Sequence, residues 1–297
     1  MTTQKPPSGT AGTPVLEVKD LVVEYPGRLG RRSAFRALHG IDMTIAPGET
    51  VGLVGESGSG KSTLGRAVLG LAPITEGSVR FEGTDITRIG RNARRGLSRD
   101  LQVVFQDPYT SLNPAMTVSD ILTEPLLVSG STRKDAGTRV RALLDQVHLP
   151  ADAAGRYPRE FSGGQRQRIA IARALCLDPK LIVCDEPVSA LDLSTQARVL
   201  DLFIEIQERT GVAYLFVTHD LAVVRHISHR VAVMRRGEIV ESGDVDQVTS
   251  RPVHPYTQAL LLAAPVPDPA RQAERRSERR RFLDEQKAAP GDAPITA

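Results

Sequence analysis

The sequence predicts an α/β fold, and three features predict it. A short apolar run from Val51 to Gly55 passes through a Gly/Ser loop into a helical segment, Ser62 to Leu71; this reads as strand, loop, helix, the opening of an α/β unit. Two further apolar runs, Leu181 to Cys184 and Val212 to Val217, flank a segment of helical period from Ser194 to Thr210. Ahead of them the period is two. Leu16 and Val18 alternate with Glu17 and Lys19, Ile41, Met43 and Ile45 with Asp42 and Thr44, and Val79 and Phe81 with Arg80. Such alternation is the pattern of half-exposed strands.

The remaining elements follow in order. Residues 1–14, rich in Thr, Pro and Gly, lack the apolar core of a signal peptide and read as a disordered lead-in. From about 107 to 170 loop signals (DPYTSLNP) give way to helical stretches such as Thr138 to Val147, a candidate helical subdomain. A helix from Gln165 to Cys176 comes next. The helix from Ser194 to Thr210 carries Val199, Leu200, Phe203, Ile204 and Ile206 on a broad apolar side and has Gly211 as its stop. Val231 to Met234 and Glu238 to Glu241 flank Arg235-Arg236-Gly237 as a hairpin. Beyond Pro265 the chain turns Arg-rich and then Ala/Pro-rich, a tail over 271–297 expected to be loosely ordered.

Composition narrows the function classes. A chain of 297 residues sets a prior of about two domains and buries an ample core. The net charge is +3, from 38 Lys+Arg and 35 Asp+Glu. A pI near 9.0 invites a nucleic-acid reading. Six Arg and two Glu, however, lie within residues 271–281. The basic character therefore belongs to one short tail segment, and no nucleic-acid partner is expected. Two cysteines, Cys176 and Cys184, exclude a disulfide framework and suit a reducing compartment. No apolar run approaches the ~18 residues of a spanning helix.

Residues Gly55-Glu56-Ser57-Gly58-Ser59-Gly60-Lys61-Ser62 match G-x4-G-K-[ST]. Phosphate oxygens need several backbone N–H groups converging on one point, and glycine lets the chain curl that tightly. The helix that follows adds its N-terminal N–H groups and dipole. Lys61 supplies a point charge for the β/γ-phosphates, and the Ser62 hydroxyl suits Mg²⁺.

Three weaker signals come later. Ser162-Gly163-Gly164-Gln165 opens a helix and can present a hydroxyl and bare N–H groups to an anion, but alone it reads equally as a plain helix cap. The apolar strand ending in Asp185-Glu186 is a common pattern; beside a phosphate loop, Asp185 can hold a Mg²⁺ shell and Glu186 can polarise an attacking water. His219 follows an apolar strand, at the carboxyl end where open α/β sheets bind ligands; a lone His is usually structural. Cys184 is read as a small buried hydrophobe.

In this order, over roughly Val15 to Val266, these pieces resemble the ATP-binding subunit of ABC transporters. The resemblance implies a P-loop NTPase fold: a RecA-like mixed-sheet core, an antiparallel β subdomain and a helical signature subdomain. It implies an ATPase domain over 15–250 and a C-terminal extension over 251–270. Tyr25 matches the aromatic that stacks on adenine, and Gly55 to Thr63 the phosphate loop. Gln106 matches the glutamine that senses Mg²⁺ and links to membrane subunits. Ser162, Gly163, Gly164 and Gln165 match the signature loop, Asp185 and Glu186 the magnesium aspartate and catalytic glutamate. The run to Asp192 matches the loop that contacts the partner subunit, and His219 the γ-phosphate switch. Phe161 stands where the family favours Leu, at a position expected to pack rather than react.

The resemblance further implies a head-to-tail pair of ATPase subunits, the same or different, each signature loop capping the ATP of the other. VFQDPYTSLNP, VCDEPVSALD and HPYTQALL (His254 to Leu261) are similar to the dipeptide/oligopeptide importer branch, which also serves nickel, glutathione, opines and some sugars. Two membrane permease subunits and an extracellular substrate-binding protein are the implied partners, and the cytoplasmic face of the membrane the implied place. Many members carry a Cys-rich segment after HPYT; none follows here, so no iron–sulfur cluster is expected. The alternative, a soluble ABC ATPase acting on the ribosome or nucleic acid, usually has two fused ATPase domains or a long coiled coil. This chain has one phosphate loop, one signature and no sustained heptads.

Overall fold

The computed structural model describes residues 12–26 and 34–263. The tail 271–297 and most of the lead-in 1–14 lie outside the described residues. In chain order the elements are β1 (Leu16–Tyr25), β2 (Phe35–Ile45), β3 (Thr50–Val54), α1 (Lys61–Val68), β4 (Glu76–Phe81), β5 (Thr84–Asp85), α2 (Arg91–Leu97), β6 (Leu101–Val104) and α3 (Pro108–Ser111). There follow α4 (Val118–Val128), α5 (Arg133–Gln146), α6 (Gly163–Ala174), β7 (Leu181–Asp185), α7 (Leu193–Thr210), β8 (Ala213–Thr218), α8 (Leu221–Ile227), β9 (Arg230–Arg235), β10 (Glu238–Asp244), α9 (Val245–Ser250) and α10 (Pro255–Ala263).

Two sheets form. One is antiparallel, in the order β2-β1-β4-β5; the other runs β10-β9-β3-β8-β7-β6. In the second, all neighbours are parallel except the β9–β10 hairpin at its edge. Its inner strands are buried on both faces, which is why they read as continuous apolar runs. The period of two still sorts their side chains between two cores. Leu181, Val183, Leu215 and Val217 face the antiparallel sheet and α1. Ile182, Cys184, Tyr214 and Phe216 face α4–α7. Tyr214 and Phe216 each meet Phe203 of α7 edge-on, at 5.4 and 5.6 Å between centroids, a geometry favoured by the ring quadrupoles. Cys184 is fully buried, which pushes its thiol well above its ordinary pKa; it packs as a small hydrophobe.

Several element bounds move for local reasons. The alternation in β1 breaks at Asp20, whose φ of 46° marks a bulge, so that Leu21, Val22 and Val23 are all buried. Helix α5 starts ahead of Thr138 because Thr132 caps it, its hydroxyl accepting the Asp135 N–H at 3.2 Å. Helix α6 ends at Ala174 in a short 3₁₀ turn closed by Asp178 at φ 52°. The β9–β10 turn has two residues, Arg236 (φ 48°) and Gly237 (φ 85°), rather than three. Two successive positive φ values are what the tightest hairpins need. Phe161 is 3% exposed, with the Arg156 guanidinium 4.4 Å above its ring, so this position packs as expected.

Candidate active site

Register brings the strand ends to one rim. Val54 of β3 pairs with Thr218 of β8. Asp185 of β7 pairs with Val217, and Val104 of β6 with Cys184. Gly55, Phe105-Gln106, Glu186 and His219 therefore all leave the same edge of the sheet, where parallel α/β sheets bind ligands.

The loop after β3 is held tightly. A Cβ on Gly55 would lie 2.1 Å from the Met234 carbonyl oxygen of β9, so only glycine fits that approach. Gly60, at φ 108°, opens α1 with no side-chain cap. The first N–H groups of α1 are thus left for an outside acceptor. Lys61 is 4% exposed. Its Nζ donates to the carbonyls of Gly55 at 2.7 Å and Glu56 at 2.8 Å. Burial lowers its pKa, while Glu186, Asp185 and Glu56 pull it back up. The ammonium is therefore anchored among acceptors and partly balanced by three carboxylates.

Two pairs of side chains close the rim. The Ser62 hydroxyl donates to Asp185 Oδ1 at 2.9 Å across 123 residues of sequence. The Glu186 carboxylate, 19% exposed, lies 3.3 Å from His219 Nδ1. Glu186 has φ 49°, an unfavourable left-handed conformation for a residue with a side chain. Its N–H donates to the Val217 carbonyl at 2.9 Å, and its carbonyl accepts the Ser189 hydroxyl at 3.0 Å. Those bonds hold the strained turn that lifts Glu186 off the strand end.

Ser62 and Asp185 offer two hard oxygen donors side by side, which fits Mg²⁺, an ion that completes its shell with water and phosphate oxygens. Among the described residues no group of three or more His, Cys, Asp or Glu forms an all-protein metal cage.

The other residues singled out by sequence stand apart. Ser162, Gly163, Gly164 and Gln165 begin α6 on the helical side. The Ser162 hydroxyl accepts the Gln165 N–H at 3.4 Å and Gln165 Oε1 accepts the Ser162 N–H at 3.0 Å, a closed capping box. Gly164 packs against α7, where a Cβ would come 2.2 Å from Thr195 Cγ2. Asp192 caps α7, accepting from the Ser194 hydroxyl at 2.7 Å and the Thr195 N–H at 3.0 Å; those bonds hold its carboxyl well below the usual range. Tyr25, half-buried, ends β1 opposite Phe35. Two residues earlier on that face Val23 pairs with Leu38, whose Cδ2 would lie 3.0 Å from a Cβ on Gly60. Gln106 is exposed just past β6.

Tyr256 lies within the HPYTQALL run, where nothing in the local sequence marks a role for its hydroxyl. Its hydroxyl accepts the Glu56 N–H at 3.1 Å, and its ring lies 5.1 Å from the Arg235 guanidinium.

A doubly covered sheet with an uncapped Gly-Lys-Ser helix start and a hydroxyl–carboxylate pair at its rim defines a nucleotide-binding P-loop protein. The ABC transporter family matches residues 38–189, and the oligopeptide/dipeptide transporter C-terminal region matches 240–291. The chain belongs to the ABC transporter family, with the fold of its ATP-binding cassettes. It is 48% identical over 292 residues to the glutathione import ATP-binding protein GsiA of Pectobacterium atrosepticum, covering 96% of this chain and 46% of that protein. It is 50% identical over 262 residues to the oligopeptide transport ATP-binding protein OppD of Mycobacterium tuberculosis, covering 86% of this chain and 43% of that one. The chain thus spans less than half the length of these relatives. Among solved structures, the dimeric ATP-binding cassette MJ0796 in a post-hydrolysis state with ADP and Pi has TM-score 0.69 and 29% identity, over 77% of this chain and 98% of that one.

Proposed function

We propose that this chain is the ATP-hydrolysing motor of an ABC importer for peptides or related small solutes. The observation that carries the chemistry is the convergence of Lys61, the Ser62–Asp185 pair and the Glu186–His219 pair on one sheet rim. Import is supported by the relatives, which are named as import and transport ATP-binding proteins.

The loop from Gly55 to Thr63 holds the phosphates of ATP, with Lys61 on the terminal ones. Ser62 and Asp185, with Gln106, hold Mg²⁺, which when bound screens phosphate charge. Glu186 takes the proton of the attacking water as general base. His219 orients that carboxylate and senses the γ-phosphate. Tyr25 stacks on the adenine. Ser162, Gly163, Gly164 and Gln165 cap the ATP held by a second ATPase subunit, and Asp192 lies at that contact. ATP joins the pair and hydrolysis releases it, a two-state element biased by one phosphate.

No helix among the described residues is long and apolar enough to cross a membrane. The spans come, on this reading, from two permease subunits at the cytoplasmic face, fed by an extracellular binding protein. Affinity purification of the tagged chain from membranes tests it. The expected result is two membrane subunits together with ATPase activity; recovery with ribosomes or nucleic acid instead would overturn it.

A further inference from the structure

Residues 251–263 belong to a segment that the proposed mechanism does not use, yet it is built with unusual definition. Glu241 of β10 accepts the N–H groups of Val253 at 2.8 Å and His254 at 3.1 Å. His254 Nδ1 accepts the Tyr256 N–H at 3.1 Å, and Gln258 Nε2 donates to the Pro252 carbonyl at 3.0 Å. These bonds fix the turn into α10 and seat Tyr256, 1% exposed, beneath Arg235. A phenol carries its proton at neutral pH, and burial raises its pKa further.

The bond from Glu56 N–H to the Tyr256 hydroxyl involves one particular peptide unit. The carbonyl of that same unit, Gly55 C=O, accepts Lys61 Nζ at 2.7 Å. A peptide unit is planar and turns as a block. Holding its N–H therefore aims its carbonyl, and the carbonyl positions the ammonium. A second grip lies further along the loop, where Gly237 N–H of the β9–β10 turn donates to the Ser59 carbonyl at 2.8 Å.

We propose that Tyr256 is a positioning residue for the phosphate loop: through the Gly55–Glu56 peptide it sets the place of Lys61, and so couples the C-terminal segment to nucleotide affinity. The proposal rests on the reading that this loop binds ATP. It gives the segment a role inside the motor itself, so that whatever docks on or displaces α10 would change how tightly ATP is held.

The test uses the full chain with Mg-ATP and measures Kd, KM and kcat. Tyr256→Phe keeps the ring, its packing and the Arg235 contact, and removes only the hydroxyl. Loss of one partly buried neutral hydrogen bond is worth roughly 3- to 10-fold. Kd and KM should rise by that factor with kcat within about twofold of wild type. Thr257→Val is the control for packing of α10, because the Thr257 hydroxyl is buried and has no partner; it should leave Kd within about twofold. Equal Kd for Tyr256→Phe and wild type would overturn the proposal. So would an equal loss in Thr257→Val, or a fall in kcat with KM unmoved. Failure of the wild-type chain to bind ATP would overturn the phosphate-loop reading itself, and this proposal with it.

Discussion

At the phosphate loop, helix α1 begins at Gly60 with no side-chain cap; at the second glycine-rich loop, α6 begins at Ser162 inside a closed capping box. The first loop takes its shape from distant segments. Met234 of β9 presses on Gly55, Gly237 holds Ser59, and Tyr256 holds Glu56. The second takes its hydrogen bonds from within four consecutive residues, and only side chains of the neighbouring segment, Leu191 and Thr195, press on its glycines. The difference teaches what each loop is built to do. A helix start whose N–H groups have no internal partner is ready for an anion with no local bond to break. At the second start the box takes the Ser162 and Gln165 N–H groups and leaves those of Gly163 and Gly164 outside it, a preformed surface that on the proposed function caps another subunit's ATP.

The largest blow to this contrast is Lys61→Ala. It removes a charge seated inside the first loop and should weaken Mg-ATP binding on the order of 10²-fold. Unchanged affinity in a titration of the purified chain would break the assignment. Gly55→Ala should act on the same loop through the backbone, since its Cβ would meet Met234 O at 2.1 Å. Loss of ATP affinity together with a lower Tm is expected there, because overpacking against backbone costs about 1–3 kcal/mol. At the second loop Gly164→Ala meets a side chain instead, Thr195 Cγ2 at 2.2 Å, and should cost less as Thr195 rotates. The double variant with Thr195→Ser would sharpen this by restoring stability in thermal unfolding. The smallest effect is expected from Ser162→Ala. Loss of a cap costs about 1 kcal/mol of stability. ATP affinity in dilute single copies should move less than about twofold, while turnover at concentrations that favour pairing should drop.

Much of this was legible in the sequence for local reasons. Gly211 stops α7, and its φ of 70° shows why glycine serves there. The Gly-Lys-Ser motif lies between a strand and a helix, as its chemistry demands. The capping reading of Ser162 was legible too, since Ser and Gln three residues apart form that box by themselves. What was not legible depends on long range. The Ser62–Asp185 and Glu56–Tyr256 bonds join residues 123 and 200 positions apart. The left-handed turn at Glu186 has no sequence marker, because glutamate is not a residue that favours it. The bulge at Asp20 similarly interrupts a period of two that the flanking residues promise.

The central claim is that the loop binds ATP and Glu186, set beside His219, spends it. The most direct measurement is Mg-ATP binding and turnover of Glu186→Gln beside wild type. The variant keeps the shape of the side chain and loses the base. The expected result is wild-type ATP affinity with turnover reduced at least ~10²-fold and ATP-bound pairs accumulating. Turnover within tenfold of wild type would contradict the account and assign the base elsewhere on the rim.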